Sequence, residues 1–106
     1  MVINLEKFKE TNVKVLSGRD NGQALRKKLN LDEKDKTGEI VSVVIPDDLY
    51  SINSSYFLGL FGASIRALGE SRFRERYIFK CDEIIQKNVE DGISRALKES
   101  NVLRGI

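Results

Sequence analysis

Histidine and tryptophan are missing from this 106-residue sequence, and cysteine, proline and methionine occur once each. Without histidine, neither a Ser-His nucleophile pair nor a His-ligated zinc site can be assembled. The lone Cys81 excludes an internal disulfide and any multi-cysteine metal site. With a single proline, Pro46, and no Pro/Gly-rich tract, nothing marks a linker, so one domain over residues 1–106 is expected. An excess of one charge is lacking too. The 18 basic and 16 acidic residues leave +2, too balanced to announce a nucleic-acid or membrane-surface partner. No apolar run is long enough to cross a bilayer. Residues 53–69 are barest of charge, but they number only about 17 against the roughly 20 that spanning needs, and they include three glycines and Arg66. The opening MVINLEKFKE has neither a long apolar run nor a small-residue cleavage site, so a cytoplasmic protein is expected.

What is present alternates between two periodicities. Val13 and Val15 alternate with polar neighbours and predict a short strand ending at SGRDNG. Ala24, Leu25, Leu29 and Leu31 then recur at helical spacing, with Asp20 or Asn21 as the expected N-cap. LDEKDKTGE reads as a solvated connector, and IVSVVI (40–45), bounded by Gly38 and Pro46, as a buried strand. ERYIFKC is a further expected strand. In DEIIQKNVEDGISRALKES, Ile85, Val89, Ile93, Ala96 and Leu97 share one helical face, with Asp82 and Glu83 at its positive end. Residues 2–5 suggest an edge strand. The order predicts a single α/β domain: about three helices on a mixed or partly parallel sheet of about four strands.

The stretch SINSSYFLGLFGASIRALG (51–69) carries most of the functional argument. Phe57, Leu58, Phe61, Ile65 and Leu68 define an apolar helix face, with Asn53 or Ser54 as N-cap. Gly59 and Ala63, four residues apart, leave one side of that helix with little bulk. A glycine inside a helix costs about 1 kcal/mol against alanine, so a packing or binding reason is expected. Either the sheet and another helix cover this segment, or part of it awaits a partner protein. Its N-terminus also lacks the usual acids, since no Asp or Glu lies between Asn53 and Gly69. A phosphate on Ser54 would meet the helix amides without a neighbouring carboxylate.

IVSVVIPDDLYSINSSYFLGLFGASIRALG resembles the core of the STAS domain, the fold of bacterial anti-anti-sigma factors, where a buried strand leads through an acidic turn into Asp-Ser-Ser-Gly at a helix start. It is similar as well to the STAS-like domain family of unknown function, in which a Ser-Ser-headed helix rich in Phe and Gly recurs with an early Gly-Arg element like Gly18–Arg19. The likeness runs back through VLSGRDNGQALRKKL and forward through RYIFKC, covering nearly the whole chain. It implies a non-catalytic regulator that binds a histidine-kinase-like ATPase serving also as anti-sigma factor. It further implies that Ser54 is phosphorylated by that partner, which then lets go. Two positions depart from the pattern. Asn53 stands for the aspartate and removes its carboxylate, and Tyr56 stands for the glycine and brings a bulky ring beside Ser54.

The expected contact surface is Asp47, Asp48, Asn53, Ser54, Ser55, Tyr56 and Arg66. A second reading seats a nucleotide or other phosphorylated small molecule at the same helix N-terminus. A third uses Arg66, Arg72, Arg74 and Arg76, with Phe73 and Tyr77 interleaved, to bind nucleic acid, although Glu70 and Glu75 interrupt the patch. SGRDNGQ lacks the GxxxxGK[ST] pattern and is expected to be a turn and cap. Cys81 is expected as a small buried hydrophobe, and Asp47–Asp48 as turn residues after Pro46. No catalytic residue, metal or cofactor is expected. A homodimer is compatible with the composition.

Overall fold

The β-branched residues Val41, Val43 and Val44 favour extended backbone, and in the computed structural model the segment Val41–Val44 is the central strand of a three-stranded sheet. Residues 1–8 and 14–104 are described, with side chains to residue 99. In chain order the elements are β1 (Val2–Asn4), a short 3₁₀ turn (Leu5–Phe8), β2 (Val15–Leu16), α1 (Arg19–Leu29), α2 (Leu31–Thr37), β3 (Val41–Val44), β4 (Ser51–Ile52), α3 (Ser54–Leu68), α4 (Glu70–Arg76), β5 (Tyr77–Lys80) and α5 (Glu83–Arg104). One sheet has the order β1-β3-β5 and the other pairs β2 with β4; each pairing is parallel. The expected α/β class is met. The expected four strands and three helices are not: the described residues form five short strands in two sheets and five α-helices.

The differences have local causes. LDEKDKTGE is not a connector, because Asn30 adopts the left-handed conformation (φ 57°), ends α1, and lets a second helix start at once. α1 begins earlier than expected, with Gly18 as N-cap; Asn21, instead of capping, donates from Nδ2 to the Ser17 carbonyl (3.0 Å). Glu75 and Arg76, expected in a strand, close α4, and only Tyr77–Lys80 is extended. Of the first expected strand, Val15 lies in β2, whereas Val13 is outside the described residues.

Strand register sorts the three-stranded sheet into two unlike faces. Ile3, Val41, Val43 and Tyr77 are buried under the helices, with Phe79 partly so. Val2, Ser42 and Ile78 form a row on the other face, followed by Asn4, Val44 and Lys80. There Val2 is 67% and Ile78 40% exposed, so the described residues leave this face largely open.

The charge-poor segment proves to be the central helix. α3 packs against α1, α2, α4 and α5, and nine of its residues are buried, including Tyr56, Phe57, Leu60, Phe61 and Ile65. A helix apolar on most sides is one covered on most sides. Gly59 explains how α1 comes so near. A Cβ there would strike the Arg19 carbonyl oxygen and lie 3.0 Å from the Gln23 amide nitrogen; one on the facing Gly22 would strike the Tyr56 carbonyl oxygen. Two backbones touch through two glycines. Below them Phe61 is the hub of an aromatic cluster, its ring centroid 5.2 Å from Phe57, 5.3 Å from Phe79 and 5.5 Å from Tyr77. Such edge and tilted contacts add to simple burial.

α5 opens with Asp82, whose Oδ1 accepts the Ile85 amide (2.9 Å), and presses Gly92 against the Phe57 ring. It is tied to α4 by Arg74, which donates to both carboxylate oxygens of Glu90 (2.9 and 2.8 Å) and to Glu70 (3.0 Å). The bonds from Arg74 hold the Glu90 carboxyl below its usual range. A depressed folded-state pKa contributes stability above the unfolded carboxyl value and loses it as pH falls through the folded one. The pair lies at the surface, so the effect is small. Arg74→Met is expected to lower stability by about 0.5 kcal/mol at pH 7. In urea titrations at pH 2.5 the variant should be indistinguishable from the parent.

Candidate functional site

The Asp47–Ser55 segment is held from three directions before α3 begins. After the turn closed by Leu49 N–H to the Pro46 carbonyl (3.2 Å), the Tyr50 amide donates to Lys14 O (2.7 Å) and the Asn53 amide to Leu16 O (2.8 Å). Between them the Ile52 amide donates to Asn88 Oδ1 of α5 (2.7 Å). Asn53 is the N-cap, extended at φ −65° and ψ 143°. Its Oδ1 accepts the Ser55 amide at 2.8 Å, and its carbonyl accepts the first helical bond from Phe57. Ser54 is half-buried and Ser55 exposed, and no acidic residue lies in the first turn.

Five of the seven expected contact residues therefore share one stretch: Asp47, Asp48, Asn53, Ser54 and Ser55. Two do not join them. Tyr56 is only 5% exposed; its ring turns inward, so it adds little to the surface formed by the other five. Arg66 is exposed, but twelve residues on it sits about 18 Å further along the helix axis. The sequence reading passed over Tyr50, the most exposed of the large hydrophobic residues described, at 69%. Lys14 stands over its ring at 5.9 Å from the centroid and pairs with Asp48 at 3.7 Å. An aromatic placed between a turn and a helix cap has a signal in sequence only if its exposure can be read from its neighbours, and alternation in the two-residue β4 is too short to supply that.

A second constellation escaped the sequence reading altogether. Arg26 of α1 enters the interior and donates from Nη1 to Leu60 O (3.0 Å) and Ser64 Oγ (2.8 Å), and from Nη2 to Asp32 (2.6 Å) and Asp35 (3.2 Å). Asp35 also accepts from Ser64 Oγ and Tyr77 Oη, both at 2.5 Å. Burial, and then the bond to Asp35, push the Tyr77 phenol well above its ordinary range, so it stays protonated and serves as donor. Among the described residues no buried side-chain nitrogen or oxygen is left without a partner. A network with every member satisfied acts as a lock between α1, α2, α3 and β5. Arg26 lies four residues after Gly22 and one after Leu25, on the buried side of α1; that spacing is the one clue the sequence held.

The remaining candidates resolve simply. Of the four arginines proposed as a basic patch, Arg74 is committed to Glu70 and Glu90, and Arg76 donates to the Asp35 carbonyl (2.9 Å). Cys81 is half-buried. Burial and then Asp82 raise its thiol pKa, and its Sγ faces Gln86 Oε1 at 3.6 Å. No group of three or more His, Cys, Asp or Glu side chains that could hold a metal occurs among the described residues. No described helix is long and apolar enough to cross a membrane. Compared with family models, curated proteins and solved structures, the chain matches none of them.

Proposed function

We propose that this chain is a non-catalytic STAS-like regulatory domain that recognises a protein partner through Asp47–Ser55. The observation that carries the reading is the presentation of Tyr50: a solvent-facing aromatic on a stretch pinned by backbone and side-chain hydrogen bonds, flanked by Asp47, Asp48, Asn53 and Ser55. Rigidly held aromatics ringed by polar groups are the anchors of protein interfaces, because little entropy is lost when they are covered. The resemblance of residues 40–69 to the anti-anti-sigma core supports a histidine-kinase-like ATPase or anti-sigma factor as partner. Phosphorylation of Ser54 would be the switch. A dianion there meets an acid-free helix start and adds about two negative charges to the surface that the partner had covered.

The test is to mix the protein with its candidate ATPase partner and Mg·ATP, reading intact mass alongside complex formation. A gain of one phosphate, absent in Ser54→Ala and accompanied by dissociation, is the expected result. Tyr50→Ala should weaken the unphosphorylated complex at least about tenfold, as loss of an aromatic anchor does. Binding without phosphate would retire the switch and keep the recognition surface. Binding that Tyr50→Ala leaves unchanged would overturn the surface assigned here.

A further inference from the structure

Next to the Asp47–Ser55 segment, an open cleft of about 510 Å³ lies between the 3₁₀ turn, β2, α1 and the first turn of α3. Its α1 wall is a single stripe, Asn21, Ala24, Leu25 and Lys28, at i, i+3, i+4 and i+7. Leu16 and the inward-turned Tyr56 supply buried apolar walls, and Phe8 faces them from the 3₁₀ turn. Lys28 holds its ammonium 5.4 Å from the centroid of the Phe8 ring, and Lys7 is the second cation of the lining. Among the described residues, no acid lines the cleft and neither lysine is paired with a carboxylate.

The volume falls in the range of small-molecule sites, which are mostly apolar with a few convergent polar groups. Two ammonium groups beside apolar walls, with no acid among the described lining residues, select for charge as well as shape. We infer that this cleft binds a small amphipathic anion, an apolar body carrying one carboxylate or phosphate group. The body lies against Leu16, Leu25 and Tyr56, and the anionic group meets Lys7 and Lys28. The inference does not depend on partner recognition through Tyr50.

The experiment is an amide-resolved NMR titration of the full chain with four probes: octanoate, octyl phosphate, neutral octanol and inorganic phosphate. The expected result is saturable shifts at Ser17, Ala24, Lys28 and Tyr56 with one or both amphipathic anions. Whichever binds more tightly identifies the head group. Octanol and inorganic phosphate should each bind at least tenfold more weakly. The Lys7→Gln/Lys28→Gln double variant, altered only at exposed positions, should keep its spectrum and lose tenfold or more in affinity for the anion. Absence of saturable shifts at these amides would overturn the inference. So would equal affinity in the double variant, or inorganic phosphate binding as tightly as the octyl ester, since the apolar walls would then take no part.

Discussion

Gly59→Ala is expected to lower the stability of this domain by about 3 kcal/mol in urea titration, the upper part of the usual range for overpacking. The reason is what the new methyl would meet. It lands on the Arg19 carbonyl oxygen and close to the Gln23 amide, which are backbone atoms of α1 and have no rotamer by which to retreat. Only separation of α1 from α3 relieves the clash, and that separation also uncovers Leu25 and Leu60. The gain in intrinsic helix preference, about 1 kcal/mol, offsets part of the loss. Gly62→Ala is the control on the same helix. Its methyl would lie 3.2 Å from Arg66 Nη1, the far end of a flexible side chain, so the helix-preference gain of up to about 1 kcal/mol should prevail. Equal stability of the two variants would show that α1 and α3 are not in backbone contact.

Arg26→Met is expected to cost more, about 3–5 kcal/mol, because it leaves the buried Asp35 carboxylate without its cation. Ser64 Oγ and the Leu60 carbonyl lose a donor at the same time. The informative measurement is the double-mutant cycle with Asp35→Leu. Removing both charges leaves an apolar interior in place of an unpaired ion, so the double variant should be more stable than the sum of the single costs predicts, by 1 kcal/mol or more. Strict additivity would mean that the guanidinium and the carboxylate do not act as a unit. Near-ultraviolet circular dichroism of Tyr77 gives a second readout, since its hydroxyl loses its acceptor with Asp35.

How much of this could be read from residues alone follows a physical line. Val41–Val44, α3 and α5 were legible because burial wrote itself into their patterns: a β-branched run, and apolar residues at helical spacing. Asn53 as cap was legible from side-chain chemistry. α2 was not, because six of its seven residues are polar and it is anchored by Leu31 and by Asp35 in the polar network, which no local pattern announces. The inward turn of Tyr56 was hidden for the same reason. Its position in the first turn of a helix says nothing of which side the neighbouring α1 will take. The site suffered accordingly: the serine-headed turn was visible in advance, but the exposure of Tyr50 depended on a tertiary frame fixed by Lys14, Leu16 and Asn88.

None of the described strands pairs with its neighbour along the chain. Val2 meets Ser42, Val15 meets Ser51 and Val41 meets Tyr77, so each ladder closes a loop of about 36 to 40 residues. Among the described residues there is no hairpin to form early and hold while the rest collapses. Closure entropy must be met in full before any ladder hydrogen bond is gained, which should slow folding relative to a domain of the same size built on local pairings. Order of synthesis matters as well. With β5 the last of the described strands to emerge and an edge of its sheet, a nascent chain can pair β3 with β1 but leaves the other edge of β3 open until Tyr77–Lys80 arrives. The helices α1 and α3, joined through their glycines, are complete by then and are the expected template for the last strand.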